Sequence, residues 1–338
     1  MNKTEETNKK EKEYLERLNI LSLNEREAKL GKNYKISFSE ILGKGGYGYV
    51  YKGYNLNTLE PIAIKVNSIE LNENFLEKEA KFLNHIQGNK GIPKLYKYLI
   101  VDQKEFLCME LLGKNINDIF IEFNNKFHYS TSLIIGYKMF LLIKYIHEKN
   151  VIHRDINPCN FSIGGNENTK NDIYLIDFGW AKEIYNNKGK HFPFKKGKQF
   201  LIGTERFISA YTHLGLEQSR RDDLESLLYI ISYLLKGSLP WLGVHGKTKN
   251  DKFKKILEKK MDYSICQSLF DNYKELGNIF TYVRNLEFFD EPDYDYINKL
   301  FLHCFKSHNI NVNDFDLKNN NKRYKTLYQS IFIIYLLY

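Results

Sequence analysis

The chain has 338 residues, 43% of them hydrophobic and 27% charged, and carries a formal net charge of +9. That balance excludes a disordered or fibrous chain and leaves room for two domains, each with a buried core. The excess of positive charge favours anionic partners, although a solvated basic surface accounts for it equally well. No aromatic–basic motif supports a nucleic-acid binder. The cysteines Cys108, Cys159, Cys266 and Cys304 have no paired spacing, which argues against a zinc site or a disulfide framework and for a reducing compartment. The longest apolar run, Ser330 to Tyr338, is far short of the roughly 20 residues that span a bilayer. The first 30 residues are polar and charged, unlike a secretory signal.

In that opening stretch Tyr14, Leu15, Leu18 and Leu21 fall near helical spacing, so the sequence fits either a short amphipathic helix or a disordered tail. From about residue 33 the pattern changes. Lys35 to Phe38 alternates like a strand, and Gly43, Gly45 and Gly48 follow with the spacing G-x-G-x-x-G. That spacing alone is weak. Its context is informative, because Val50 and Tyr51 continue as a strand where a dinucleotide fold would open a helix. The stretch therefore reads as a strand–turn–strand flap whose backbone amides can cover phosphates; a plain glycine-rich hairpin is the alternative. Ile62-Ala63-Ile64-Lys65 reads as a strand ending in lysine. A helix is predicted over Asn74–His85, with Phe75, Leu76, Ala80 and Leu83 as its apolar stripe and Glu79 on it. A strand lysine and a helix glutamate can pair, holding an ammonium against phosphates.

Phe106 to Gly113 reads as a buried strand running into a connector, and helices are predicted over Asn117–Asn124 and Ser132–Lys149. Then comes His153-Arg154-Asp155-Ile156-Asn157-Pro158-Cys159-Asn160. Asp155 can orient a hydroxyl nucleophile and accept its proton, and Asn160 can hold a metal ion. The apolar strand Ile173–Ile176 ends on Asp177-Phe178-Gly179, where a second metal ligand fits. Together these stretches resemble the catalytic and metal-binding loops of protein kinases.

The resemblance narrows further along the chain. Gly203 to Gly215, Glu217 to Leu227, Gly237-Ser238-Leu239-Pro240-Trp241 and Glu291-Pro292-Asp293-Tyr294 are similar to the casein kinase 1 family of protein serine/threonine kinases. Ser209-Ala210-Tyr211 stands where that family has Ser-Ile-Asn and most protein kinases have Ala-Pro-Glu. The similarity runs from about residue 33 to about 315.

It implies an α+β fold of two lobes, a small β-rich lobe over 33–112 and a larger helical lobe over 113–315. A charged extension over 1–32 and a tail over 316–338 flank them. It also implies ATP and Mg2+ as cofactors. Lys65 would grip the phosphates and Glu79 would hold Lys65. Gly43, Gly45 and Gly48 would close over the nucleotide, which Leu42, Val50, Ala63, Met109, Glu110 and Leu112 would also contact. Asp155 would be the catalytic base, Asn160 and Asp177 the metal ligands. His153 and Phe178 would stack in a hydrophobic column, and Asp223 would anchor the catalytic loop. Arg206 and Lys252, beside Trp241, would form a pocket for the phosphate of an acidic or pre-phosphorylated protein substrate. Pairing of Arg206 with a local carboxylate is the competing reading. The basic run Lys188, Lys190, Lys195, Lys196, Lys198 extends that surface, serves as a nuclear signal, or is a solvated loop. A monomer in the cytoplasm or nucleus is expected.

One residue departs from the family. Asn157 stands where a lysine normally contacts the γ-phosphate, and Cys159 supplies no substitute cation. Losing one such donor costs a few kcal/mol, on the order of 10²–10³ in rate. A slowed kinase and a nucleotide-binding pseudokinase both remain open. The apolar stretch Leu327 to Tyr338, outside the resemblance, has docking on the large lobe, a partner and a membrane surface as alternatives.

Overall fold

The structure, a computed structural model, describes residues 27–45, 48–68, 75–102, 104–197, 200–312, 315 and 317. The helix or tail expected around Tyr14–Leu21, Lys198 and the apolar stretch from Leu327 lie outside the described residues. The chain divides into two compact units. One runs to Gln87 and resumes over Pro93–Leu112; the other comprises Gly88–Ile92 and the chain from Gly113 onward.

The first unit is a six-stranded antiparallel sheet in the order β1-β2-β3-β4-β6-β5. The strands are β1 (Glu27–Leu30), β2 (Tyr34–Gly45), β3 (Gly48–Asn55), β4 (Pro61–Ser68), β5 (Leu95–Val101) and β6 (Lys104–Glu110). The charged extension expected over 1–32 therefore gives up its last residues to the sheet, since Glu27–Leu30 pair with Tyr34–Ser37. Alternation along β4 decides the rest. Ile62, Ile64 and Val66 point into a core with Ile36, Tyr51, Phe106 and Cys108, all at most 3% exposed. Ala63 and Lys65 therefore face the other way. On that side α1 (Phe75–His85) lays Leu76 and Ala80 against Leu107, the residue paired with Lys65 across the sheet. The apolar stripe that predicted this helix is the stripe it buries.

The second unit is mainly helical. Its centre is α3 (Tyr129–Glu148), the helix after the short α2 (Ile116–Glu122), packed on α5 (Arg220–Lys236), with α4 (Ala210–His213) between them in sequence. At their contact a Cβ on Gly136 would sit 2.5 Å from the Ile231 side chain, so only glycine lets the two helices approach this closely. Helix α3 begins three residues before the predicted start because His128, an unusual cap, accepts the Ser130 amide through its ring. Helices α6 (Lys249–Met261), α7 (Tyr263–Ser268), α8 (Lys274–Arg284) and α9 (Tyr294–Ser307) complete the unit. Two small β ladders, β7 (Val151–Ile152) with β10 (Lys182–Glu183) and β8 (Phe161–Ile163) with β9 (Ile173–Leu175), hold the loops between α3 and α4. No helix among the described residues is long and apolar enough to cross a membrane.

Candidate active site

In the first unit the face opposite the main core carries a buried ion pair. Lys65 is 7% exposed and Glu79 is 3% exposed, and Lys65 Nζ lies 2.7 Å from Glu79 Oε2. Two charges this deep persist only when paired. Ala63 shares the face and Met109 is its cross-strand partner. The flap is built as a hairpin in which Gly45 pairs with Gly48, with register shifts in β2 before Ile41 and before Gly43. Leu42 is exposed, and space beside Gly43 is open: a Cβ there meets nothing within 4 Å. At the end of β6 the Glu110 amide is already spent on the Lys94 carbonyl at 2.9 Å. The Leu112 N–H makes no bond among the described residues.

In the second unit one carboxylate organises the loop that carries Asp155. Asp223, near the N-terminus of α5, accepts the amide of His153 at 2.7 Å and that of Arg154 at 2.9 Å. His147 Nε2 lies 3.0 Å from the same group. Burial lowers the pKa of His147, so at neutral pH it is an uncharged donor. Burial opposes charge on Asp223 too, but the His147 hydrogen bond and its neighbours outweigh this and hold its pKa below the usual carboxylate range. The fully buried His153 ring packs edge-on against Phe178 with centroids 5.1 Å apart, and its Nε2 donates to the Ile176 carbonyl at 3.0 Å. The chain passes through a left-handed conformation at Arg154 (φ 70°), which turns Asp155 outward from this anchor.

Asp155 is the hub. Its Oδ1 accepts the Thr204 amide and the Thr204 hydroxyl, each at 2.9 Å, and Asn157 Nδ2 at 3.0 Å. Its Oδ2 accepts Asn160 Nδ2 at 3.2 Å. Thr204 can come this close because Gly203 precedes it. Gly203 has φ 106°, and a Cβ there would fall 2.9 Å from the Arg154 carbonyl oxygen. Asn157 is 4% exposed and fully engaged: it donates to the Asp155 carbonyl at 3.1 Å as well, and its own oxygen caps the Cys159 amide at 2.9 Å. Both its amide nitrogen and its oxygen are thus already used, with Pro158 opening the short 3₁₀ turn it caps.

Asn160 spends its amide nitrogen on Asp155, leaving the side-chain oxygen as the acceptor with no hydrogen bond among the described residues. The β8–β9 register pairs Phe161 with Leu175, and the Ile176 amide donates to the Asn160 carbonyl at 2.9 Å. Asp177 follows directly, in a left-handed conformation with φ 66°. Such strain in a non-glycine residue is tolerated where neighbours over-determine it. Among the described residues no group of three His, Cys, Asp or Glu side chains forms a metal cluster. An amide oxygen plus one carboxylate, completed by phosphate oxygens and water, is instead the donor set that suits magnesium.

Beyond Thr204 the loop borders a surface cavity of about 460 Å³ lined by Glu205, Arg206, Trp241, His245 and Lys252 among others. Arg206 has no carboxylate partner among the described residues; its guanidinium lies 5.6 Å from the Phe207 ring centre and 5.8 Å from that of Tyr233. Lys252 is loosely paired with Glu205 at 3.8 Å. Trp241 is 1% exposed, and its indole N–H donates to the Arg206 carbonyl at 2.9 Å, so it forms the floor and fixes the loop. Lys188, Lys190, Lys195 and Lys196 are exposed.

Sequence reasoning missed three features. Thr204 was visible only as part of a family stretch, 49 residues from the aspartate it holds. Glu217, 1% exposed, sits 3.6 Å from Arg154 and 3.1 Å from Lys182. Glu225 receives the Ala210 amide at 2.9 Å and Arg284 at 3.2 Å, fixing the segment that carries Ser209-Ala210-Tyr211.

The protein kinase domain family matches residues 36–321, and the chain belongs to that family. A small β-rich unit and a helical unit are the α+β, two-lobed fold of that family. Protein kinase domains use ATP and Mg2+ to transfer a phosphoryl group.

Proposed function

We propose that the chain is a protein serine/threonine kinase of the casein kinase 1 type, transferring the γ-phosphoryl group of ATP, with Mg2+, to acidic or pre-phosphorylated protein substrates. The observation that carries the reading is the seating of Asp155. Three donors hold Oδ1, whereas Oδ2 accepts only the longer bond from Asn160. Oδ2 is therefore the oxygen best able to receive a proton. The substrate hydroxyl oxygen forms its bond to the γ-phosphorus as the bond to the ADP oxygen breaks, and the hydroxyl proton passes to Asp155. Lys65, held in place by Glu79, offsets the α- and β-phosphates. Asn160 Oδ1 and the Asp177 carboxylate would hold magnesium, whose charge offsets the phosphate oxygens. The Glu110 carbonyl and Leu112 amide take the adenine edge between Leu42, Val50, Ala63 and Met109, and Gly43, Gly45 and Gly48 cover the phosphates. Arg206 and Lys252 receive the substrate's existing phosphate or carboxylate. The protein acts as a monomer in the cytoplasm or nucleus.

Asn157 supports a second reading, a nucleotide-binding pseudokinase. Its side chain is committed to Asp155 and Cys159, and the loop offers no cation in its place. Phosphate transfer to paired serine peptides, one carrying a phosphoserine upstream and one not, tests the first reading. Faster transfer to the primed peptide, with the preference lost in Arg206→Ala, is expected. Transfer to neither peptide, with ATP still bound, favours the pseudokinase.

A further inference from the structure

Lys260, near the end of α6, has no role in the site so far, yet it is 0% exposed. Its Nζ donates to the Glu205 carbonyl at 3.0 Å and the Ile208 carbonyl at 2.7 Å, and stands 5.3 Å from the ring centres of both Tyr229 and Trp241. With the Trp241 N–H on the Arg206 carbonyl, three carbonyls of the segment 205–208 are held by side chains from elsewhere in the unit. That segment directly follows Thr204, which binds Asp155, and it carries Arg206, which borders the cavity. A buried ammonium held by carbonyls and ring faces, with no carboxylate within 4 Å among the described residues, is far less comfortable charged than one in a salt bridge. Glu225 and Glu205 favour its charge from further away and Arg284 opposes it; His213, uncharged above about pH 4, Tyr229 and Cys266 pack nearby. Burial pushes its pKa down to about 7.

We propose that Lys260 is a positioning residue for anion recognition, fixing the Glu205–Ile208 backbone and placing a charge behind the cavity, so that binding of a phosphorylated substrate is coupled to proton uptake at Lys260. The inference rests on the cavity being the phosphate site. An anion in front of Trp241 favours the ammonium behind it, and by linkage the ammonium favours the anion by the same factor. The neutral amine still has two N–H groups for the two carbonyls, so the loop keeps its shape while the cavity loses the added charge.

Calorimetry of the full chain with a phosphoserine peptide at pH 7.5, in two buffers of different ionisation enthalpy, tests this without any variant. The peptide phosphate is already largely dianionic there, since its second pKa is about 6. Wild type is expected to take up a fraction of a proton on binding. The uptake persists in His245→Gln and vanishes in Lys260→Arg, which keeps its charge at every pH used and binds within about threefold of wild type. Lys260→Met binds about tenfold more weakly, within the usual range of a coupling between sites. Binding without proton uptake, or uptake lost in His245→Gln and retained in Lys260→Arg, overturns the proposal while leaving the cavity reading intact. No preference for the phosphorylated peptide over the plain one, unchanged in Arg206→Ala, removes the cavity reading and this proposal together.

Discussion

At the scale of single residues, the site turns on how Asp155 is held. Thr204→Ala removes one of two donors that Thr204 gives to Oδ1 and leaves the amide in place. A hydrogen bond to a charged group is worth about 1.5–3 kcal/mol. The turnover of Thr204→Ala should therefore fall roughly tenfold or more with the KM for ATP nearly unchanged, as steady-state kinetics would show. Unchanged turnover would mean the threonine only packs. Lys65→Met leaves the Glu79 carboxylate buried without its cation. Breaking one side of a buried pair costs about 3–5 kcal/mol, so this variant should melt lower and lose ATP-induced stabilisation. The local parts of this chemistry were readable beforehand. Lys65 and Glu79 lie on a strand and a helix with clear periodicity, and Asp155, Asn157 and Asn160 sit within six residues of one another. Thr204, Glu217 and Lys260 were not readable as site residues, because they reach their partners over tens of residues and no periodic pattern encodes such contacts.

At the scale of elements, close approach between helices and buried charge set the constraints. Gly136→Ala places a methyl 2.5 Å from Ile231 at the α3–α5 contact. Overpacking of that kind costs about 1–3 kcal/mol, and thermal unfolding should show it; a neutral result would mean that α5 shifts freely. Helix α4 ends on His213, which stacks on Phe253 with ring centres 3.7 Å apart and lies 2% exposed. Burial, with Lys260 adding to it, pushes its pKa down to about 4. Its contribution to stability is then full above its unfolded value near 6.5 and is lost as pH falls through about 4, roughly 3 kcal/mol in all. Asp222 acts in the opposite sense. Burial raises it to about 6, so its contribution is full below the unfolded value and is lost as pH rises through about 6. Melting temperatures of His213→Phe and wild type, compared between pH 7 and pH 4.5, should diverge in favour of the variant as pH falls. Parallel curves would contradict the assignment. Element types were legible where stripes were long, as in α1 and α3, and illegible at their edges. The strand β1 is only four residues, Glu-Ala-Lys-Leu, with no alternation strong enough to announce it.

At the scale of the whole molecule, the family match fixes the fold and the general chemistry, and the open matter is whether this chain turns over. Nucleotide binding is the lower bar. ATP should raise the melting temperature more with magnesium than without it, by an amount set by ligand concentration over Kd. Equal shifts would argue that Asn160 and Asp177 do not hold the ion together. The most direct test of the account is transfer of labelled phosphate from ATP to an acidic serine substrate by wild type, Asp155→Ala and Asn157→Lys. The expected result is slow transfer by wild type, none above background by Asp155→Ala, and a rate raised by about 10²-fold in Asn157→Lys through the restored cation. Wild-type transfer no faster than that of Asp155→Ala would contradict it.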